Sequence, residues 1–353
     1  MHNRSHEVAS VTAQHDTSAA KDKGYVAGID IGGTNLRLAL ADMTGTVMAK
    51  WSSSTVGVRG PEAIVALVKD GMHELLQKVS APRGALNAVA AGAPGITDVD
   101  SGIVIATSYL LGWRDVPLRA LLEGALKAPV VVDNDVNFAA VGEHWLGAAQ
   151  GVRDFVFIGI GTGVGASIVL NGAPFRGPGW AAGEIGYMLV PGSLEIGRNP
   201  GEPGPLESVI GGEGIKAQWN SLWQHERTTL PRDLTATQIF AHALAGDPVA
   251  QSVLERTARM LAHTIYNTHL ILNCPLFVLG GGVGVHSALR NATEGLLTRL
   301  NMRGQPQLAT STLGVDAQMM GALRQALDLA ASHPGLFAEK GAVGDNRRHF
   351  ADM

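Results

Sequence analysis

Apolar residues recur along this chain with two periods, and the switch between them marks where strands give way to helices. In Val26–Ala41, VAGIDIGGTNLRLALA, an apolar run ends in Asp30, a Gly-Gly-Thr turn follows, and the next run alternates apolar and polar positions. Alternation around a glycine pair predicts a β-hairpin with Asp30, Gly32, Gly33 and Thr34 at its tip. Phe155–Leu170, FVFIGIGTGVGASIVL, repeats the design and runs into an Asn171-Gly172 turn. Gly161, Gly163 and Ala166 also match a dinucleotide-binding fingerprint. That fingerprint needs a helix after the glycines, whereas the short β-branched Ser167–Leu170 favours a hairpin.

Helical spacing appears from Pro61, with Ile64, Val65, Val68, Met72, Leu75, Leu76 and Val79 on one face. Further helices are predicted at Val116–Ala125, Phe138–Ala149, Thr235–Leu244, Pro248–Asn273, His286–Leu297 and from Leu313 to Ala330. Short apolar runs predict strands at Trp51–Val56, Leu86–Ala91, Gly102–Ala106, Ala128–Asp133, Leu276–Leu279 and Gln307–Ser311. Two glycine-tipped hairpins, each opening a set of strands and helices, suggest an internal duplication with a cleft between the copies.

Glycines at a hairpin tip let backbone N–H groups approach an anion closely, and such a row of amides cradles phosphate without a lysine. Asp30, just before the turn, would repel phosphate unless a divalent cation lay between them. It is therefore a candidate Mg2+ ligand, held through water; the competing reading is an ordinary tight hairpin with a surface Asp. Gly92–Asp98, GAPGITD, ends a strand sharply, as at the mouth of a site or in a plain connection. Asn134-Asp135-Val136-Asn137 stands where a buried strand enters a helix, a costly place for polar groups without partners. A helix N-cap would account for one of these polar positions. Glu184 is the conspicuous acid of the loop Gly177–Gly192.

Composition narrows the class. A chain of 353 residues, 46% hydrophobic and 16% charged with 45 glycines, suits a turn-rich α/β enzyme of two domains. The formal net charge of −4 gives no electrostatic reason to expect nucleic acid or an anionic membrane as partner. One cysteine, Cys274, excludes an internal disulfide and a Cys-rich zinc site, and fits a cytoplasmic location. Residues 1–23 lack the apolar core of a signal peptide and read as a disordered extension. His333–Met353 reads as a loosely attached tail, and no run approaches the roughly 18 apolar residues of a membrane span.

In order, the motifs are DIGGTN, GAPG, NDVN with a following GE, GIGTGVG, AGEIG, LGGGV and LGVDA. This series, from about Tyr25 to Ala331, resembles the ROK family of bacterial sugar kinases in the actin and hexokinase superfamily. The resemblance implies an α/β fold of two ribonuclease-H-like, actin-like ATPase domains facing a central cleft. The N-terminal lobe would comprise residues 24–133 plus 316–335, the C-terminal lobe 134–315, and 336–353 a flexible tail. It implies transfer of phosphate from ATP, with Mg2+, to a hexose, usually at the C6 hydroxyl, and most simply to glucose. The implied alternatives are an N-acetylated amino sugar, mannose or fructose as acceptor, polyphosphate as donor, and a sugar-binding protein without turnover. A homo-oligomer, dimer or tetramer, is also implied.

Carried over by motif, Asp30 and Gly32, Gly33, Thr34 and Asn35 would handle metal and phosphates. Gly161, Thr162, Gly163 and Gly165 would hold phosphates from the other lobe, and Gly280, Gly281 and Gly282 would pack against adenosine. Asp135 would be the general base, with Gly95, Asn134, Glu184 and Glu207 around the sugar. A carboxylate within hydrogen-bond reach of a sugar hydroxyl takes its proton as the bond to phosphorus forms, typically worth 10²–10⁴-fold. Two positions depart from the family pattern. GEIGY places Tyr187 where many members have a histidine, and no cysteine lies between Gly186 and Glu207, so no structural zinc is expected. YLLGW places Tyr109 where the family has an asparagine, and a phenol cannot copy an amide's two-sided hydrogen bonding.

Overall fold

The computed structural model describes residues 24–332 apart from Arg83, Ser108, Leu111, 192–202, 224–227 and 302–303. The terminal extensions expected at 1–23 and 333–353, and most of the Gly/Pro-rich loop at 193–205, lie outside the described residues. The first hairpin forms as expected, from β1 (Tyr25–Ile31) and β2 (Asn35–Asp42), antiparallel, with Asp30 opposite Arg37. β3 (Val47–Ser54) pairs along β2, α1 (Pro61–Lys78) follows, and β4 (Leu86–Ala93) lies parallel to β1. β5 (Ile96–Asp98), β6 (Ile103–Ala106) and β7 (Arg114–Val116) make a small antiparallel sheet. β5 and β7, of three residues each, are too short to show periodicity and were not legible in the sequence. Pro117 sets the start of α2 (Leu118–Leu126), two residues later than the spacing suggested. β8 (Val130–Asn134) then completes a five-stranded sheet of order β3-β2-β1-β4-β8.

After α3 (Asp135–Leu146) the plan recurs. β9 (Phe155–Ile160), β10 (Val164–Leu170) and β11 (Ala173–Phe175) form an antiparallel ribbon. This excludes the dinucleotide fingerprint, because a strand and not a helix follows the glycines. Asn171 and Gly172 both take positive φ, 55° and 81°, as a two-residue hairpin turn of matching twist requires. The helices α4 (Glu207–Ile210), α5 (Gly212–Trp223), α6 (Ala236–Leu244) and α7 (Pro248–Leu272) intervene. β12 (Leu276–Gly280) and β13 (Gln307–Thr310) then join in parallel, separated by α8 (Gly281–Gly284) and α9 (Ser287–Arg299). The second sheet has order β11-β10-β9-β12-β13, the same plan as the first. α10 (Ala317–Ser332) closes the described chain.

The first sheet has a face of large residues and a face of mostly small ones, whereas the second carries large residues on both. In the first, Ile29, Ile31, Leu36, Leu38 and Leu40 pack under α1 and α2. The opposite face presents Val26, Ala39, Ala41, Ala88 and Ala90 to Phe138 of α3 and to Met319, Ala322 and Leu323 of α10. Every residue of β1 is buried because both of its faces are covered, which explains its near-continuous apolar run. Asp30 shares its face with Val26 and Gly28, the face toward α10. The second sheet packs its other large residues against α5, α6, α7 and α9, and returns Phe155, Phe157 and Val278 toward α3 and Ala317.

α3 and α10 therefore lie between the two sheets, and they cross at glycines. A Cβ on Gly321 would stand 1.7 Å from the Phe138 carbonyl oxygen, and one on Gly142 would stand 2.3 Å from that of Ala317. The buried carboxylate of Glu143 ties α3 to the segment that leads into α10, accepting from the Ser311 hydroxyl and from the backbone N–H groups of Ala148, Thr312 and Leu313. No helix among the described residues is long and apolar enough to cross a membrane.

Candidate active site

β1, β4 and β8 run parallel, so their carboxyl ends deliver Asp30, the Gly92–Gly95 turn and the Asp133–Asp135 corner to one edge of the first sheet, where ligands of open α/β sheets collect. The hairpin tip is closed by Gly32 N–H donating to the Asn35 carbonyl at 2.9 Å. Gly33, Thr34 and Asn35 are exposed there, with Asn35 Nδ2 on Thr34 Oγ1. Thr55, buried just past β3, braces the tip: its hydroxyl donates to the Gly32 carbonyl and its N–H to that of Thr34. Thr55 carried no motif and was not legible in the sequence.

The polar corner Asp133-Asn134-Asp135-Val136-Asn137 resolves into separate tasks. Asn134 is the N-cap of α3: its side-chain oxygen accepts from the N–H groups of Val136 and Asn137, and its amide donates to the Gly95 carbonyl at 2.8 Å. Gly95 has φ +98°, and a Cβ there would lie 2.2 Å from the Ala106 carbonyl oxygen, so the turn demands glycine. Asp133 is buried and accepts from Asn137 Nδ2, while its other oxygen takes Arg176 Nε at 3.0 Å. Capping and pairing thus occupy Asp133, Asn134 and Asn137. Asp135 is left with local backbone contacts, from the Val136 N–H and from its own.

The second hairpin faces this corner. Gly161 N–H donates to the Gly163 carbonyl across its tip, and Gly212 N–H donates to the Gly161 carbonyl, so the start of α5 supports it. A Cβ on Gly161 would meet open space, and Thr162 is exposed. Gly165 lies within β10 and not at the tip, where it lets the strand approach Val136. Gly183, at φ +99°, packs on the Ala166 carbonyl and fixes Glu184 before a short helical turn, Ile185–Tyr187. Glu207 opens α4 and accepts the Val164 N–H and the Tyr109 hydroxyl, each at 2.8 Å. Tyr187 stands at the surface of the cleft, 49% exposed. Of the glycines at the end of β12 and just past it, Gly280 and Gly281 pack inward on Phe157 and Ile160, whereas a Cβ on Gly282 would meet nothing.

Burial drives the electrostatics of the cluster. The Asp135 carboxyl is pushed up to about 7, first by desolvation and then by the charge of Asp30, with Glu184 adding to it. Asp30 is pushed up to about 6 by burial, partly offset by Arg37, whose Nη1 lies 3.9 Å away. The Glu184 carboxyl is raised by burial and by Glu207. The Tyr109 phenol is raised by burial and by its hydrogen bond to Glu207, with Tyr187 and Asp135 close enough to contribute. Four carboxyls and two phenols thus line one cleft, and the desolvation of Asp135 within it is the setting in which a carboxylate becomes a base near neutral pH. Asp30, 5% exposed, has among the described residues no cation nearer than Arg37 at 3.9 Å, so a hydrated divalent cation fits its charge. Among the described residues no group of three or more His, Cys, Asp or Glu side chains is poised to hold a metal ion.

Comparison with known proteins identifies relatives of this chain. A glucokinase of Halalkalibacterium halodurans is 36% identical over 74% of this chain and 81% of its own length. An N-acetylmannosamine kinase of Escherichia coli is 32% identical over 85% of this chain and 97% of its own. The crystal structure of a ROK family glucokinase from Streptomyces griseus, in complex with glucose and AMPPNP, superposes with a TM-score of 0.73 at 26% identity, covering 86% of this chain and 100% of that one. The ROK family model matches residues 26–328. The two sheets share one plan, and the chain belongs to the ROK family.

Proposed function

We propose that this protein is an ATP-dependent hexose kinase of the glucokinase type, acting at the C6 hydroxyl. The observation that carries the reading is the pairing of Asp30, near the carboxyl end of β1, with Asp135, just past the end of β8 two strands away in the same parallel set, close enough that one charge raises the other's pKa. Asp135 takes the proton of the sugar hydroxyl as that oxygen bonds to the γ-phosphorus and the bond to the bridging oxygen of ADP breaks. The hydroxyl's remaining neighbours are Glu184, Glu207 and the free amide hydrogen of Asn134, and Tyr109 and Tyr187 line the same end of the cleft. Backbone amides of Gly33, Thr34, Thr162 and Gly163, at tips closed by the Gly32 and Gly161 N–H groups, receive the phosphates, and Gly282 offers the open surface for adenosine. Asp30 would hold Mg2+ through water, which supplies charge neutralisation along the phosphate chain.

The lobes we assign are residues 24–133 with 316–335 and residues 134–315; the packing of α10 on β1 and β4 supports returning the C-terminal segment to the first lobe. The exposed apolar side chains Leu189, Leu270 and Ile271 support a homo-oligomer, dimer or tetramer. A coupled ADP-release assay over a panel of hexoses, with ATP and with polyphosphate, tests the function. Turnover of glucose with ATP, lost in Asp135→Asn, is the expected result. Sugar binding without turnover on any member of the panel refutes it.

A further inference from the structure

Tyr109 spans the cleft between the glycine hairpins. Its backbone lies under the first tip, where a Cβ on Gly33 would stand 3.0 Å from the Tyr109 carbonyl oxygen. Its hydroxyl lies over the second, where a Cβ on Gly163 would stand 1.7 Å from it. The phenol then donates to Glu207 Oε2 at 2.8 Å, the same oxygen that accepts the Val164 N–H. Glu207 Oε2 is thereby filled from two sides by residues of both hairpin neighbourhoods. Its Oε1 has no hydrogen-bond donor among the described residues.

We propose that Tyr109 sets the acceptor specificity: locked onto Glu207, its ring walls the sugar end of the cleft and restricts the substrate to hexoses whose hydroxyls are unsubstituted at the carbons facing Glu207. The inference rests on the sugar-kinase reading above. A hydroxyl donating to Glu207 Oε1 lies against the Tyr109 ring and fits there. An acetamido group in its place adds three heavy atoms on that side, and the ring cannot swing aside to admit them without giving up a charge-assisted hydrogen bond. N-acetylated hexosamines are therefore turned away by a steric wall, the kind of exclusion that comes from a clash built against a competitor.

The test compares wild type, Tyr109→Phe and Tyr109→Ala for kcat/KM with glucose, mannose, N-acetylglucosamine and N-acetylmannosamine. Wild type is expected to prefer glucose over either N-acetylated sugar by about a hundredfold or more. Tyr109→Ala is expected to narrow that preference at least about tenfold by gaining activity on the N-acetylated sugars, a gain that a merely structural lesion does not produce. Tyr109→Phe keeps the ring, frees the Glu207 oxygen and is expected to change the KM for glucose while still excluding the acetamido group. Equal use of glucose and an N-acetylated sugar by wild type, or an unchanged preference in Tyr109→Ala, overturns the proposal. If no sugar is turned over, the kinase reading has failed separately, and titration calorimetry with the same sugars and variants decides the wall by the same ratios.

Discussion

Arg176 and Asp133 form an ion pair 43 residues apart in sequence, joining the ribbon of the second sheet to the last strand of the first. Asp133 is 3% exposed, and the residues that follow it are the cap of α3 and Asp135. Arg176 Nη1 also donates to the Pro174 carbonyl, so the guanidinium is anchored on its own ribbon before it reaches across. Removing one partner of a buried pair strands the other charge, at about 3–5 kcal/mol. Arg176→Ala is expected to lower Tm markedly and to reduce kcat more than it raises KM. The double variant Asp133→Asn with Arg176→Gln, which leaves no buried charge, is expected to recover most of the lost Tm in differential scanning calorimetry. An Arg176→Ala protein as stable and active as wild type would remove Arg176 from the support of this corner.

Asp135→Asn separates the base from its shape. It is expected to lose at least about a hundredfold in turnover while still binding sugar. In wild type the ionised carboxylate is the working form, so kcat/KM should rise with pH through a limb near 7, the value to which burial and Asp30 push Asp135. Stability should run the other way. A carboxyl whose folded pKa lies above its ordinary 3.8 binds its proton more tightly folded than unfolded, so its contribution is retained at low pH and lost as pH rises toward about 7. Asp135→Asn should therefore raise Tm at pH 8 and have little effect near pH 4. A Tm unchanged at pH 8 would mean that Asp135 carries no burial penalty.

Much of this was legible in the sequence because it is local. Both hairpins announce themselves by period-two alternation and glycine tips, and Asn171-Gly172 fixes its turn by backbone preference alone. The corner at Asn134–Asn137 was legible as a polar cluster, but the division of labour was not. Asn134 reads equally as a cap or as a sugar contact until the N–H groups of Val136 and Asn137 are seen to converge on it. Arg176 stood in a loop with nothing to mark it, since its partner lies on another sheet. Tyr109 was visible only as a departure from a motif, and its bond to Glu207, 98 residues away, is a tertiary fact. Contacts made by folding, not by chain neighbours, are what the pattern of residues does not carry.

Metal analysis of the purified protein should find no stoichiometric zinc. The chain has one cysteine, Cys274, buried under α7, which removes the soft thiolate ligands that structural zinc sites favour. One equivalent of zinc per chain would overturn the expectation that the stretch between Gly186 and Glu207 is held without metal.

The crossing of α3 and α10 gives the sharpest test of how the site is supported. Gly321 and Gly142 face each other's backbones, and a methyl on Gly321 would occupy the place of the Phe138 carbonyl oxygen. Gly321→Ala must push the helices apart, an overpacking cost of about 1–3 kcal/mol or more. Asp135 is the first residue of α3, so the displacement should reach the base and lower kcat along with Tm. Gly124→Ala in α2 supplies the opposite sign: its Cβ would meet open space, it is helical and exposed, and alanine there should stabilise by about 0.5–1 kcal/mol through helix propensity. Thermal melts and glucose turnover of the two variants, measured side by side, check both signs. A Gly321→Ala protein that melts with or above wild type would show that the helices do not need this contact to hold the lobes in register.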